Sequence, residues 1–271
     1  MLHKILKGVA PVFALALAAG VAGCDSQISV NGKEGVPLAE LDLDGKAPTG
    51  LVLAGPDNVV VTRGDKLAIT VAGDQEVADA LRFTLDDKTL GVMRKNGFKS
   101  SGKAIVRVTL PELRQVTLAG SGTLEADSMT GNAEATIAGS GSAKLTGIEA
   151  DELEVTIAGS GSLEAAGRAR SLELTVAGSG SARMAGLKVD DAEITIAGSG
   201  DANFASDGTV KATVMGSGDV TVNGSAKCTI KSMGSGTIHC SAGSTTTADG
   251  PPAPPKPPAP PTPPSGPATP E

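Results

Sequence analysis

The chain has few of the residues that usually build binding clefts and catalytic centres. Its 271 residues include no Trp or Tyr, four Phe, two His and three Cys. A core without large aromatic rings has to be filled by Val, Ile, Leu and Ala, and a carbohydrate cleft loses the rings on which sugars stack. The net charge of −7, together with the absence of a basic stripe interleaved with aromatics, argues against a nucleic-acid partner.

The N-terminus has the pattern of an export signal. Lys4 and Lys7 precede an apolar run too short to span a bilayer comfortably, and Val21-Ala22-Gly23-Cys24 follows it. This tetrapeptide resembles the bacterial lipobox, in which the cysteine becomes the acylated N-terminus. We therefore predict a lipoprotein signal peptide over residues 1–23, lipid attachment at Cys24 and a tether over residues 24–49. The membrane, reached through this lipid, is the first predicted partner.

The predicted location is the bacterial cell envelope. The lipid would hold the protein at either the outer membrane or the periplasmic face of the inner membrane, and the sequence leaves both open. At the other end, residues 251–271 contain 12 prolines, which favour polyproline II and exclude helix and sheet. We predict a disordered Pro-rich tail over residues 246–271. A docking segment for a partner is the alternative.

Between these ends a Gly-Ser-Gly motif occurs seven times, first at Gly120 and last at Gly234, with spacings of 18 to 20 residues. A near-constant period of this size indicates a solenoid. Apolar residues stand two and four positions before each motif, with polar residues between them, and alternation resumes after it. We predict an all-β, single-stranded right-handed parallel β-helix with about 18–20 residues per turn, in which the motif forms a corner.

This pattern resembles the family of the auto-transporter adhesin head domain, or GIN domain, a domain of unknown function. The resemblance rests on the recurrent "AGSG" and "GSGD" corners, on residues 106–122 and on the strand-rich segment 51–71. It implies a right-handed β-helix over residues 50–245 and an envelope location. The adhesin name implies a protein that binds cell-surface or extracellular macromolecules.

The Gly-Ser-Gly motif does not predict chemistry. A phosphate-binding loop would need a following helix or a Gly-Lys-Ser/Thr run, and a nucleophile elbow would need a G-x-S-x-G spacing and a histidine base. His239 is the one histidine beyond the signal segment. We predict no catalytic residue, no enzymatic activity and no cofactor, and leave a metal open.

Two outward columns of charge accompany the corners. Five positions before the motif stand Gln115, Glu134, Glu154, Glu173, Glu193, Lys211 and Thr229, and five positions after its first glycine stand Glu125, Lys144, Glu164, Arg183, Asn203, Thr221 and His239. The second column neutralises itself, whereas four stacked glutamates repel one another. We predict that Glu134, Glu154, Glu173 and Glu193 form an acidic strip that binds divalent cations or a basic surface. A solvated acidic face is the alternative.

Cys228 and Cys240 fall at inward positions near the end of the solenoid. An exported compartment permits a disulfide between them, and buried free thiols are the alternative. The whole sequence predicts a non-enzymatic adhesion, binding or scaffolding module, with a homo-oligomer left open. A polysaccharide-acting β-helix enzyme and an envelope sensor accessory that docks a partner through its tail are the other classes.

Overall fold

The structure, a computed structural model, describes residues 30, 32, 33, 35–241 and 244–246. A single turn of 3-10 helix covers Leu38–Glu40, and one α-helix, α1, covers Gln75–Ala80. The strands are β1 (Gly50–Ala54), β2 (Asn58–Arg63), β3 (Ala68–Gly73), β4 (Leu81–Leu85), β5 (Thr89–Arg94), β6 (Ala104–Leu110), β7 (Gln115–Gly120), β8 (Thr123–Ala126), β9 (Met129–Gly139), β10 (Ser142–Gly159), β11 (Ser162–Gly178), β12 (Ser181–Gly198), β13 (Asp201–Gly216), β14 (Val220–Asn223), β15 (Lys227–Gly234), β16 (Ile238–Cys240) and β17 (Ser244–Thr246).

These strands form a parallel β-solenoid of about seven turns, which confirms the predicted fold class. Strands β10, β11 and β12 each run from one Gly-Ser-Gly corner to the next and pair in parallel with the turns on both sides. The pairing of β10 shifts register between Leu145 and Ile148 and between Ala150 and Glu152. With the corner, these two bends give each turn three sides.

The solenoid core consists of the inward positions that the alternation predicts. The residues two and four positions before each corner are buried from Val116 to Val214, as are those four and six positions after the first glycine from Leu124 to Val222. In the last turn Ser232, Ile238 and Cys240 are half-buried. The core therefore thins toward the C-terminal end.

The corners stack through their backbone, which explains why they need glycine. Gly139 has a φ of 117°, and a Cβ built there would lie 2.6 Å from the carbonyl oxygen of Gly120 in the turn below. The amide of Ser140 donates a hydrogen bond to the same oxygen, at 3.0 Å. A side chain at the first glycine would therefore be strained and would also break the stack.

The N-terminal end has a topology that the periodicity did not predict. Strand β1 lies between β5 and β7, and β2 lies between β6 and β8, all in parallel. The chain thus builds its first complete turn, folds back to build a turn beneath it, and then continues upward from β7. Strand β4 pairs antiparallel with β5, and β3 pairs antiparallel with β6. These two strands cover a sheet edge that would otherwise be open to pairing.

A buried ion pair holds this cap together. Gly55-Pro56-Asp57 forms an additional corner beneath that of Gly120, since Gly122 donates to the carbonyl of Gly55 at 3.0 Å. The Asp57 carboxylate, 1% exposed, accepts two hydrogen bonds from Arg94, 8% exposed, at 2.6 and 2.7 Å, and a third from the Ala104 amide at 2.8 Å. The pair connects the first corner to the strands that lie out of sequence order.

Part of the segment predicted as a tether packs against the cap. Val36 forms a β-bridge with Phe83, and three leucines are partly buried against the core: Leu38, Leu41 and Leu43. The signal peptide, Cys24 and residues 247–271 lie outside the described residues. The domain bounds stay predictions.

Candidate functional site

The strand segments that lead into the corners form one flat side of the solenoid, which we call the front face. It comprises residues 132–138, 152–158, 171–177, 191–197, 209–215 and 227–233, paired in parallel. Four positions of each segment point outward and form four columns. These are the outer column, the glutamate column, the threonine column and the alanine column, at seven, five, three and one positions before the corner.

The structure brings the four predicted glutamates together. Glu134 pairs with Glu154, Glu154 with Glu173, and Glu173 with Glu193, so their side chains stack at about 4.8 Å intervals. Below them the Gln115 amide nitrogen donates to a Glu134 carboxylate oxygen at 3.1 Å. Above them Glu193 pairs with Lys211. The column thus ends on a neutral donor at one side and a cation at the other.

The crowding of carboxylates changes the acidity of the central residue. Partial burial raises the pKa of Glu154 above its ordinary value of 4.5, and repulsion from Glu134, Glu173 and Glu152 raises it further. A cation placed against this column would relieve the repulsion. The arrangement is therefore chemically suited to a basic partner.

Two further carboxylates on the front face were missed by the sequence analysis. The outer column runs Asn132, Glu152, Ser171, Asp191, Thr209 and Lys227. Glu152 and Asp191 add to the glutamate column, so the first four segments carry six carboxylates. We call these segments, residues 132–138 to 191–197, the acidic half. Extending the alignment two positions further back would have found both residues.

The last two segments have the opposite character, which the sequence analysis also missed. Residues 209–215 and 227–233, here called the basic end, carry three exposed lysines and no carboxylate at their outward positions. Among the described residues, Lys211, Lys227 and Lys231 have no carboxylate within salt-bridge distance, whereas Lys188 lies 2.7 Å from Asp207 on another side. The front face therefore carries both signs of charge, separated along its length.

Small side chains keep the acidic half flat. The threonine column contains Thr136, Thr156, Thr175 and Thr195, and the alanine column contains Ala138, Ala158, Ala177 and Ala197. At the basic end the alanine column changes to Met215 and Met233, which are neighbours and are 39% and 50% exposed. A wide, shallow surface of this kind suits a macromolecular partner better than a small molecule.

The second predicted column lies on the next side of the solenoid. Lys144 pairs with Glu125 and Glu164, and Glu164 pairs with Arg183, so charges alternate as predicted. Lys144, Glu164 and Arg183 line a shallow groove there.

The two aspartates of the "GSGD" corners serve backbone amides. Asp201 accepts a hydrogen bond from the Asp219 amide at 3.1 Å, and Asp219 accepts one from the Thr237 amide at 3.0 Å. The hydrogen bonds from Thr237 lower the pKa of Asp219. These carboxylates complete the stack of corners.

The two cysteines of the last turns lie close together. The Sγ atoms of Cys228 and Cys240 are within bonding distance, and their Cα atoms are 6.6 Å apart, which is within the range of a disulfide. Their bond would connect β15 to β16 where the core is thinnest. The disulfide stays a prediction, as does lipid attachment at Cys24, which lies outside the described residues.

A metal site finds no support in the described part of the chain. There, no group of three or more His, Cys, Asp or Glu side chains is arranged to hold a metal ion. The glutamates stack in a single file along the solenoid. Among the described helices, none has the length and apolar character needed to cross a membrane.

Taken together, the fold and the front face define a capped parallel β-solenoid that presents one long, flat, charged surface. Residues 47–226 match the family model of the putative auto-transporter adhesin, head GIN domain. The match covers more than half of the chain, and the chain belongs to this family. No match was found among curated proteins.

Solved structures share the fold. A putative adhesin from Bacteroides fragilis NCTC 9343 superimposes with a TM-score of 0.63 at 20% identity, covering 72% of this chain and 92% of that one. A putative lipid binding protein from Parabacteroides distasonis ATCC 8503 gives a TM-score of 0.58 at 22% identity over the same shares. A putative adhesin from Parabacteroides merdae ATCC 43184 gives 0.56 at 20% identity, with 72% and 96% covered.

Proposed function

We propose that this protein is a non-enzymatic binding module of the cell envelope, and that the acidic half of its front face binds a partner with a basic surface. The adhesin family to which the chain belongs supports a binding role at the cell envelope or surface. The lipid at Cys24 would anchor the protein there, and the ordered cap would hold the solenoid at the end of the tether.

The observation that carries the proposal is the raised pKa of Glu154 within an exposed, in-register column of carboxylates. Stacked like charges cost stability, and a basic partner removes that cost. The alternating column on the next side has no such excess charge, so a basic partner is expected to favour the front face.

The competing proposal is an enzyme that acts on a polysaccharide. Its best location would be the groove beside Lys144, Glu164 and Arg183, where a carboxylate lies next to two cations. No aromatic platform for a sugar ring exists in this chain, which has no Trp or Tyr. Adhesion or scaffolding through the front face is therefore the function that we favour.

Binding to immobilised poly-lysine tests the proposal. The protein would be the full-length chain carrying Cys24→Ser, which blocks acylation at that position. The variant E154Q/E173Q/E193Q should bind at least about tenfold more weakly. Its control is E125Q/E149Q/E164Q, which removes the same charge from other sides and should stay within about twofold of the parent chain. Equal losses in the two variants would contradict the proposal.

Calcium titration of the same proteins separates the cation version of the hypothesis. No heat of binding and an unchanged melting temperature are expected on adding Ca²⁺. A Ca²⁺-dependent rise in melting temperature that disappears in E154Q/E173Q/E193Q would show that the strip takes cations instead.

A further inference from the structure

We infer that the basic partner of the acidic half is the basic end of a second copy of this chain, so that two copies associate through their front faces in antiparallel orientation. This inference rests on the proposed function and names the partner of the same surface. It is carried by the distribution of charge along the front face, by the flatness of the face and by its area.

The first observation is that all four columns change at the same two segments. At residues 209–215 and 227–233 lysines replace glutamate and threonine positions, and methionines replace alanines. Elsewhere on the described solenoid surface cations have carboxylate partners, as in Arg170–Asp151 at 2.7 Å and Arg168–Asp190 at 3.5 Å. The three lysines of the basic end have none, although a long row of carboxylates begins one turn away.

The second observation is that the register makes the face self-complementary. Consider a two-fold axis perpendicular to the face, between the glutamate and threonine columns and midway between the turns of Glu173 and Glu193. Because the turns are in register, this axis exchanges the position of Glu134 with that of Lys231. Each copy would then place Lys231 on Glu134 of the other, giving two identical ion pairs, as expected for an isologous dimer.

The same axis also gives the other basic-end residues suitable neighbours. Lys211 falls opposite Thr156, directly beside Glu154, which is the carboxylate with the raised pKa. Lys227 falls opposite Ala138, where no side chain obstructs its approach. The threonines and alanines of the two acidic halves allow the sheets to approach closely, and in a dry contact the exposed methionines would lose water.

The area of the face is sufficient for a dimer. Four outward columns span about 20 Å along the strands, and six turns span roughly 30 Å along the axis. The projected area is about 600 Å² per copy, so a dimer buries about 1,200 Å², which is at the lower end of specific interfaces. We therefore expect a reversible dimer that forms at micromolar concentration.

An anionic membrane would also attract lysines and methionines, but the face argues against it. Six carboxylates lie on the same flat surface, and the nearest, Glu193, is one turn from Lys211. That separation of about 5 Å is shorter than the Debye length of about 8 Å at physiological salt, so a lipid surface would be repelled where it is attracted. A second copy meets both charges with their opposites.

Sedimentation velocity of the full-length Cys24→Ser chain tests the inference. Up to about 100 µM the parent chain should form dimers that dissociate at about 0.5 M salt. K231E and E134K should each weaken association at least tenfold. The swapped variant E134K/K231E should recover most of it, because the symmetry keeps the two charges opposite each other.

The control is K144E, which reverses a lysine on the next side and should leave the dimer unchanged. A parent chain that stays monomeric would overturn the inference, as would a dimer that neither K231E nor E134K affects. A chain that binds vesicles of anionic lipid through Lys211 and Lys231, and not its own copies, would also overturn it. Poly-lysine binding by a monomeric chain would leave the proposed function standing while this inference fails.

Discussion

Glu154 is the residue where the energetics of the front face are most easily measured. Its pKa is raised, so its protonated form favours the folded state. The folded protein therefore loses stability as pH rises through the raised pKa, and this penalty is absent below the ordinary value of 4.5. Replacing the carboxylate by an amide should remove the penalty, and the contact between Gln115 and Glu134 shows that an amide fits this column.

We predict that E154Q raises the melting temperature at pH 7 by about 1–3 °C, corresponding to at most about 1 kcal/mol. The gain should vanish below about pH 4, where the parent carboxyl is protonated. E164Q, in the alternating column, should give no such gain at either pH. Thermal melts of the three proteins at both pH values check this, and a gain for E154Q that is the same at pH 3.5 and pH 7 would contradict it.

The buried pair of Asp57 and Arg94 is the second residue-scale feature. Because both groups are almost fully buried, removal of one charge leaves the other without compensation. D57N and R94M should each lower the free energy of unfolding by about 3–5 kcal/mol. D151N, which breaks the exposed pair with Arg170, should cost no more than about 1 kcal/mol. Urea denaturation measures all three, and a small loss for D57N would show that the cap does not depend on the pair.

At the scale of elements, the corner is the unit that repeats. Gly159 has a φ of 114°, and a Cβ there would lie 2.6 Å from the Gly139 carbonyl oxygen, while Ser160 contributes mainly its backbone amide to the stack. G159A should destabilise the protein by at least about 1–3 kcal/mol, whereas S160A should stay within about 0.5 kcal/mol. Denaturation curves compare the two, and equal losses would mean that the serine hydroxyls hold the stack.

The elements also show where sequence reasoning works. Periodicity predicted the corners, the core positions and the glutamate column, because each turn repeats the same residue types and parallel register aligns them. It did not predict the cap, because strands β3 to β6 carry no Gly-Ser-Gly motif and pair out of sequence order. Asp57 and Arg94 are 37 residues apart, and no local pattern connects them.

The basic end was within reach of the sequence but was not recognised. Lys211 and Lys231 interrupt two aligned columns, and at those positions the glutamate and threonine patterns appear merely to fade. The structure shows that the lysines and methionines are neighbours on one exposed surface. Their meaning depends on comparing adjacent columns, which the alignment of single columns does not do.

For the whole molecule, the two ends differ in how they are closed. The N-terminal end is covered by antiparallel strands, and the C-terminal end has a thin core beside Cys228 and Cys240. If these residues are bonded, thiol titration of the denatured Cys24→Ser chain should find no free thiol without reductant and two with it. Reduction should cost roughly 3 kcal/mol for a loop of this length. Two free thiols before reduction would contradict the bond.

The central claim is that the front face, and not the other sides of the solenoid, is the binding surface. Carboxyl footprinting by mass spectrometry measures this directly, by comparing the labelling rate of each glutamate in the full-length chain with and without poly-lysine. Protection of Glu134, Glu154, Glu173 and Glu193, with Glu125 and Glu164 unchanged, is the predicted result. Equal protection on both sides, or protection confined to Glu125 and Glu164, would contradict the account.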